Sequence, residues 1–288
     1  MPTPLHSHPA IGGRVIAVTG GARGIGREIA GLLAMAGARV AIGDYDRDAV
    51  RATARALTGD VAAFDLDVTD TASFAAFLTA VERRWGRVDV LINNAGVMWV
   101  GGFDTEPESA TARQLEVNLH GVIRGVKLAG AAMRARGAGH IVTVASAASK
   151  LSPPGEATYA ATKHGVYGYL NSVRAELEGS GVLLSVVMPG VVDTELAAGT
   201  ATGAAKLLTP EDVAQAVMAV IVRPRSEVTV PAYVGLLNRW VGVLPERARA
   251  SVLRKLLPDQ VAAVAGRSAR KDYQTRLFNG QRPNGGSS

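Results

Sequence analysis

The sequence predicts an α/β fold, a doubly wound parallel sheet of about seven strands with helices on both faces, followed by a C-terminal helical extension. Short apolar runs alternate along the chain with longer segments of helical periodicity. A glycine-rich turn links the first strand to the first helix, as in sheets built from strand–helix–strand units. Hydrophobic residues make up 48% of the 288 residues and charged residues 19%, so a folded protein with a full core is expected.

Each predicted strand is a short apolar run bounded by polar or turn-forming residues. The strands are residues 15–19, 39–42, 62–66, 89–92, 140–145, 184–188 and 228–230. The helices between them include residues 26–36, 71–85, 112–134, 159–178 and 210–222. Pro210 begins the last of these helices, at a position where a missing N–H group is tolerated. Because helices separate the strands, neighbouring strands can run parallel.

One domain with an extension at each end is the predicted organisation. Residues 1–13 form an N-terminal extension, residues 14–233 the sheet domain and residues 234–278 a basic amphipathic extension. Residues 279–288 are rich in Gly, Asn, Pro and Ser and are predicted to be disordered. No apolar run approaches the ~20 residues of a membrane-spanning helix, and residues 1–13 lack a signal-peptide pattern, so a cytoplasmic protein is expected.

Cysteine is absent, and the positive charge is concentrated at the C-terminal end. Without cysteine the chain has no disulfide, thiolate nucleophile or cysteine zinc site, and no metal site is predicted. The net charge is +6, but residues 223–288 carry 12 Lys and Arg against 4 Asp and Glu, while residues 1–222 carry 19 against 21. No known nucleic-acid-binding module accompanies the basic segment, so nucleic-acid binding is not expected.

The turn after the first strand reads Thr19-Gly20-Gly21-Ala22-Arg23-Gly24-Ile25-Gly26. Gly20 permits a tight turn, Gly24 lets the backbone approach a pyrophosphate, and Gly26 lets the helix pack closely on the strand. The helix N-terminus offers unpaired N–H groups to the phosphates. A turn without a ligand is the alternative, but the position between a strand and an amphipathic helix favours a dinucleotide site.

Asp44 lies just beyond the second strand, 18 residues after Gly26. A carboxylate there accepts hydrogen bonds from the adenosine ribose hydroxyls and repels a 2′-phosphate, which favours NAD over NADP. Arg23 argues for NADP, because a guanidinium beside the turn can pair with that phosphate. NAD is therefore the predicted cofactor and NADP the alternative.

Tyr159 and Lys163 are four residues apart in a predicted helix, so their side chains share one face. A free phenol has a pKa of about 10, and a nearby ammonium lowers the pKa by favouring the phenolate. The pair can therefore serve as a general acid/base near pH 7. By spacing alone, a surface or packing pair is the commoner interpretation.

In its motifs the chain resembles the short-chain dehydrogenase/reductase family, in the subgroup with a single Rossmann domain of ~250 residues. The resemblance covers residues 14–233. Its motifs are Thr19-Gly20-x-x-x-Gly24-Ile25-Gly26, Asp67-Val68, Asn93-Asn94-Ala95-Gly96, Asn118, Ser146, Tyr159-x-x-x-Lys163 and Pro189-Gly190 with Thr194. Their joint order and spacing, with 13 residues from Ser146 to Tyr159, are far more specific than any one motif.

The resemblance implies an oxidoreductase that moves a hydride between a nicotinamide cofactor and a secondary alcohol or ketone. Tyr159 would be the acid/base, and Ser146 would hydrogen-bond the same substrate oxygen. Lys163 would bind the nicotinamide ribose and lower the pKa of Tyr159, and Asn118 would hold a water of the proton relay. The turn and the resemblance together assign the cofactor to Gly20, Arg23, Gly24, Ile25, Gly26, Asp44, Asp67, Val68, Asn94, Ala95, Gly96, Tyr159, Lys163, Pro189, Gly190, Val192 and Thr194.

Two of these assignments have open alternatives. Ser149 lies close to Ser146 in the same segment, and spacing alone favours Ser146. Asn118 could simply cap or kink its helix, because Asn is a poor interior helix former.

The segments that the family places around its substrate are mostly apolar here. Residues 97–103 carry Met98, Trp99 and Phe103, residues 150–156 carry Leu151, Pro153 and Pro154, and residues 195–208 would form a mobile lid. They contain no Arg or Lys cluster, although Lys150 and Lys206 remain candidate contacts. A lipophilic alcohol or ketone is therefore the predicted substrate.

The C-terminal extension interleaves apolar and basic residues. The apolar ones are Leu236, Leu237, Trp240, Val241, Val243, Leu244, Leu253, Leu256 and Leu257, and the basic ones are Arg239, Arg247, Arg249, Arg254 and Lys255. Packing over the pocket or a neighbouring subunit is favoured over peripheral membrane contact, because such stripes are more often buried against protein. The family also implies a homodimer or homotetramer. A cofactor-binding regulatory or scaffold protein that acts through its basic tail is the alternative function.

Overall fold

Seven parallel strands form the central sheet of the computed structural model, which describes residues 8–203, 205–235, 240 and 243–279. The strands are β1 (Val15–Thr19), β2 (Arg39–Asp44), β3 (Asp60–Asp65), β4 (Val90–Asn93), β5 (Gly139–Val144), β6 (Val182–Pro189) and β7 (Glu227–Val230). Their order across the sheet is β3-β2-β1-β4-β5-β6-β7. The order reverses between β1 and β4, which opens a crevice at the carboxyl ends of these strands. The predicted fold class is confirmed.

Helices connect the strands and cover both faces of the sheet. They are α1 (Gly24–Met35), α2 (Arg47–Ala56), α3 (Thr71–Trp85), α4 (Glu108–Gln114), α5 (Gly121–Ala135), α6 (Ala157–Glu176), α7 (Pro210–Val222), α8 (Glu246–Leu256), α9 (Gln260–Val264) and α10 (Ser268–Gln274). The shorter turns are a π-helical turn Leu115–His120 between α4 and α5, 3₁₀ turns Ala147–Ser149 and Glu195–Ala197, and a second π-helical turn Thr275–Asn279.

The two faces of the sheet are packed by different helices. On one face Phe74 of α3, Val126 of α5 and Leu170 of α6 belong to one core cluster. On the other, Ile29 of α1 and Val217 of α7 belong to a second cluster. Burial on both faces explains why the strands read as continuous apolar runs in the sequence.

The structure differs from the predicted elements at two helices. Helix α2 was not among the predicted helices, and it buries just Val50 and Thr53. The helix predicted over residues 112–134 begins earlier, at Glu108, and the π-helical turn at Asn118 interrupts it.

Several predictions concern residues outside the described ones. They are the N-terminal extension up to residue 7, the disordered tail from residue 280 onward, the apolar residues Leu236, Leu237 and Val241 with Arg239, and the side chains of Arg249, Arg254 and Lys255. The rest of the C-terminal extension contains α8, α9 and α10. Among the described residues, no helix is long and apolar enough to cross a bilayer.

His140 on β5 gives a test of the core. It is 3% exposed, its Nε2 lies 2.9 Å from Ser185 Oγ, and burial, with a smaller effect of Arg14, lowers its pKa to about 4. The unfolded chain takes up a proton at this position near pH 6.5 and the folded chain does not. The stability that depends on a neutral imidazole is therefore complete above pH 6.5 and is lost as the pH falls toward 4.

We expect the free energy of unfolding to fall by about 3 kcal/mol more in the parent protein than in His140→Gln between pH 6.5 and 4. Urea denaturation at a series of pH values measures both slopes. The exposed-histidine variant His120→Gln should keep the steep dependence. Parallel curves for the parent and His140→Gln would show that this imidazole does not titrate as proposed.

Candidate active site

The turn between β1 and α1 has the shape of a phosphate-binding loop. Gly20 and Gly24 have φ angles of 67° and 52°, in the left-handed region that favours glycine. A Cβ on Gly26 would lie 2.0 Å from the Gly20 carbonyl oxygen. A Cβ on Gly24 would instead enter the space toward Thr194, whose Cγ2 would be 3.5 Å away. The turn and Thr194 thus border an open cradle at the N-terminus of α1, where a pyrophosphate fits.

The segment after β4 is tied to this turn by hydrogen bonds. The Asn94 Nδ2 donates to the carbonyl oxygens of Thr19 (3.0 Å) and Gly20 (3.1 Å). The Thr19 Oγ1 accepts from the backbone N–H groups of Asn94 (3.0 Å) and Ala95 (3.1 Å). These bonds fix the distance between the two strand ends that border the crevice.

Asp44 ends β2 and is held by backbone groups. Its carboxylate accepts from the N–H groups of Ala22 and Asp46, each at 3.1 Å. Burial raises the pKa of Asp44, against these hydrogen bonds and the charge of Arg23. Arg23 pairs with Asp46 and lies 3.5 Å from Glu195. The guanidinium considered for a 2′-phosphate is therefore already engaged by two carboxylates.

A cavity of about 760 Å³ runs from the glycine turn to α6. All predicted cofactor residues except Gly26 line it, and so does Ser146. Gly26 and Asn118 lie behind the wall. The cavity therefore joins the predicted cofactor residues and three of the four predicted catalytic residues in one space.

Tyr159, Lys163 and Ser146 meet at one side of this cavity. Tyr159 and Lys163 lie on α6 with both side chains buried, and the Lys163 Nζ is 5.5 Å from the Tyr159 ring centre. Ser146 caps the 3₁₀ turn Ala147–Ser149, where its Oγ accepts from the Ala148 N–H (3.1 Å). Ser149 is buried and does not line the cavity, which agrees with the choice of Ser146 by spacing.

The electrostatics of this group differ in one respect from the expectation. Burial raises the pKa of Tyr159 well above its ordinary value, and the charge of Glu156 adds to this, while a hydrogen bond with Ser146 opposes it. Burial also lowers the pKa of Lys163 to about 8. The net effect on Tyr159 is opposite to the one expected from Lys163, because the cost of burying a phenolate is the larger effect. The phenol is therefore held protonated.

Asn118 positions a neighbouring segment. Its Oδ1 accepts from the Val97 N–H and its Nδ2 donates to the Val97 carbonyl oxygen, both at 2.8 Å. The Nδ2 also lies 3.3 Å from the Thr162 Oγ1. The amide thus connects the π-helical turn, the strand end after β4 and α6. Its role in a proton relay stays a prediction.

The segments predicted to surround the substrate contribute less than expected. Met98 lines the cavity, but Trp99 does not, and Phe103 is 84% exposed. The Lys150 Nζ lies 2.5 Å from a Glu227 carboxylate oxygen, and neither Lys150 nor Lys206 lines the cavity. The two lysines are therefore removed as candidate contacts within the described structure. The cavity wall away from the glycine turn is mostly apolar, with Met98, Leu151, Pro153, Leu196, Val234, Leu256, Leu257 and Leu277.

The C-terminal segment completes the cavity through contacts that no residue pattern in the sequence indicated. Arg270 of α10 donates to the carbonyl oxygens of Leu196 (2.7 Å) and Met98. The Tyr273 hydroxyl accepts from the Met98 N–H (3.3 Å) and lines the cavity. Arg276 lies 2.7 Å from Glu195 in the lid. Helix α10 is thus bonded to both the lid and the segment after β4.

The part of the chain that contains the glycine turn and the Ser146–Tyr159–Lys163 group is similar in sequence to known proteins. The short chain dehydrogenase family matches residues 14–204. The probable oxidoreductase EphD of Mycobacterium tuberculosis is 38% identical over 193 residues, which are 66% of this chain and 33% of EphD. The chain thus spans a third of that relative's length. The 3-oxoacyl-[acyl-carrier-protein] reductase FabG of Escherichia coli is 33% identical over 184 residues, 64% of this chain and 75% of FabG.

Solved structures share the fold. A short chain dehydrogenase/reductase from Burkholderia phymatum in complex with NAD has a TM-score of 0.74 and 27% identity, over 81% of this chain and 94% of that one. A metagenomic short-chain oxidoreductase in complex with NADP has a TM-score of 0.67 and 32% identity, over 76% of this chain and 97% of that one. Neighbours of this fold therefore bind either nicotinamide cofactor.

Proposed function

Because this chain belongs to the short-chain dehydrogenase/reductase family of oxidoreductases, we propose that it transfers a hydride between NAD and a lipophilic secondary alcohol or ketone, with Tyr159 as the general acid/base. The observation that supports this proposal is the single cavity that joins the glycine turn, Asp44 and the Ser146–Tyr159–Lys163 group to an apolar wall. A nicotinamide cofactor fits the residues present, since the open cradle beside Gly24 and the carboxylate of Asp44 stand where its phosphates and ribose would bind.

The bound cofactor supplies or accepts the hydride. The chain's own residues handle the proton. In reduction, Ser146 Oγ and the Tyr159 hydroxyl hold the substrate oxygen, and Tyr159 donates its proton as negative charge develops there. The raised pKa of Tyr159 keeps that proton in place until it is needed. The Lys163 ammonium then stabilises the phenolate that forms, since it lies beside the Tyr159 ring.

The substrate class is tested by a spectrophotometric screen. Lipophilic alcohols and ketones are offered with NAD(H) and NADP(H) in parallel, and absorbance of the reduced nicotinamide is followed. We expect turnover of apolar ketones and preference for NADH. Turnover limited to phosphorylated or polyanionic substrates would contradict the proposed substrate class, and absence of any turnover would contradict the proposed activity.

The preference for NAD rests on the charge at the end of β2. Asp44 lines the cavity, and Asp46 holds the guanidinium of Arg23. We expect Asp44→Asn, which keeps a side-chain oxygen for the backbone donors, to raise the NADPH-to-NADH ratio of kcat/KM about tenfold or more. Steady-state kinetics with both cofactors measure this ratio.

Asp65 offers a matched control for this substitution. It is the register partner of Asp44 on β3, it pairs with Arg47 and Arg51, and it does not line the cavity. Asp65→Asn should leave the ratio at the parent value. An Asp44→Asn ratio equal to that of the parent would remove the charge argument for NAD.

Location and assembly remain proposals. We expect a cytoplasmic enzyme that forms a homodimer or homotetramer and binds no nucleic acid. Peripheral membrane contact and the regulatory alternative both place the function in the basic C-terminal extension. The contacts of α10 with the lid and with Met98 favour packing over the site instead.

A further inference from the structure

Glu156 stands in the active-site cavity beside the residue assigned to proton transfer. It directly precedes α6, three residues before Tyr159, and lines the cavity with Leu151 and Pro153. Its charge raises the pKa of Tyr159, which places the carboxyl group within electrostatic range of the phenol. Glu156 and Tyr159 both line the cavity, so the two residues border the same space.

The Glu156 carboxyl group lacks a hydrogen-bond partner among the described residues. Glu156 is 7% exposed, and within the part of the chain that the structure describes it makes no hydrogen bond or direct ion pair. Burial raises its pKa to about 7. A buried carboxyl group without a hydrogen-bond partner is unfavourable. A group at the wall of a ligand cavity gains that partner when the ligand supplies it.

The positive charge of Arg270 determines which kind of ligand group can bind Glu156. Its guanidinium is 1% exposed, is fixed by the carbonyl oxygens of Leu196 and Met98, and opposes the raised pKa of Glu156 through its charge. The positive charge nearby disfavours a second cation at this place. A neutral hydrogen-bond donor suits a carboxylate that already has a cation in range, and a hydroxyl group is the simplest such donor.

We propose that Glu156 is a specificity-determining residue, which accepts a hydrogen bond from a second hydroxyl group on an otherwise apolar ketone or alcohol substrate. This inference rests on the proposed function, because it places the reacting oxygen at Tyr159. The apolar side chains of Leu151 and Pro153 line the cavity close to Glu156 in the chain, so the hydroxyl group would be bound at a defined position along an otherwise apolar substrate.

The test uses decan-2-one and its 4-, 6-, 8- and 10-hydroxy derivatives as probes. We expect one isomer to exceed decan-2-one in kcat/KM by at least about tenfold in the parent enzyme. The ratio should fall to about one in Glu156→Leu and to an intermediate value in Glu156→Gln, whose amide oxygen still accepts. Circular dichroism and thermal melting verify that each variant folds, and the Gln variant preserves the test if the Leu variant does not.

Glu106 provides the matched control. Its carboxylate accepts from the Gln114 Nε2 (2.6 Å) and the Thr158 Oγ1 (2.8 Å), and it does not line the cavity. Glu106→Gln should retain the parent ratio between the hydroxy isomer and decan-2-one. Three results would overturn the proposal: equal kcat/KM for all the probes in the parent, a ratio that survives in Glu156→Leu, or a stronger preference for the corresponding amino ketone.

Binding separates this inference from the proposed function. The same probes are titrated into Tyr159→Phe with bound NADH, with and without Glu156→Leu, and nicotinamide fluorescence reports affinity without turnover. Hydroxyl-dependent binding together with an inactive parent enzyme would contradict the proposed function and support Glu156 as the residue that binds the hydroxyl group. Turnover without hydroxyl-dependent binding would support the proposed function and contradict the role of Glu156.

Discussion

Tyr159→Phe will lower kcat/KM for ketone reduction by at least about 10³-fold while the affinity for NADH changes little. The substitution removes the single proton that the phenol donates and leaves a ring of nearly the same volume. The ring is buried among Met98, Ala148 and Ala160, so the packing is kept. Steady-state kinetics on any ketone found in the screen, with a fluorescence titration of NADH, measures both quantities.

Tyr167 supplies the control for this experiment. It lies on the same helix, and its hydroxyl donates to Glu227 at 2.5 Å, away from the cavity. Tyr167→Phe removes an equivalent hydroxyl and should keep kcat/KM within about threefold of the parent, since a surface hydrogen bond contributes little to chemistry. A Tyr159→Phe enzyme with more than a tenth of the parent activity would show that another group transfers the proton.

Gly26→Ala will weaken NADH binding by at least about 100-fold and lower the free energy of unfolding by about 2 kcal/mol. The added Cβ would lie 2.0 Å from the Gly20 carbonyl oxygen and 2.6 Å from the Asn94 Nδ2. The first contact is with backbone, so the turn itself must move. The same movement pulls Asn94 from the two carbonyl oxygens that it holds.

Gly168→Ala is the matched substitution for the glycine experiment. Gly168 lies on α6, and an added Cβ would meet no atom within 4 Å. Replacing an exposed helical glycine by alanine stabilises the helix by about 0.5–1 kcal/mol, so stability should rise and NADH affinity should stay unchanged. Equal NADH affinity in Gly26→Ala and the parent would mean that this turn does not hold the cofactor.

Most of the fold and of the cofactor site could be predicted from patterns of residues close together in the sequence. The glycine turn, Asp44 and the Ser146–Tyr159–Lys163 spacing each depend on residues close in sequence or on motif order, and the structure brings them to one cavity. Helix α2 was not among the predicted helices: four of its ten residues are charged, and it buries just Val50 and Thr53. The π-helical turn at Asn118 could not be predicted from periodicity, and the hydrogen bonds that Asn118 makes there are with Val97, 21 residues earlier.

The substrate end of the cavity could not be predicted, because it depends on contacts between residues far apart in the sequence. Arg270 reaches Met98 across 172 residues, and α10 has just seven residues with which to show a periodicity. Trp99 and Phe103 were expected at the substrate because the family places residues 97–103 there. In the folded chain neither side chain lines the cavity. The position of Glu156, three residues before Tyr159, was a signal available in the sequence. Its burial in the folded chain is what made it a candidate substrate contact.

The bonds from α10 divide the active site between two parts of the chain. The glycine turn and the Ser146–Tyr159–Lys163 group lie within residues 14–204, which match the family, whereas Arg270 and Tyr273 lie beyond them. The last wall of the pocket is therefore formed in part by residues that lie beyond the region matched by the family model.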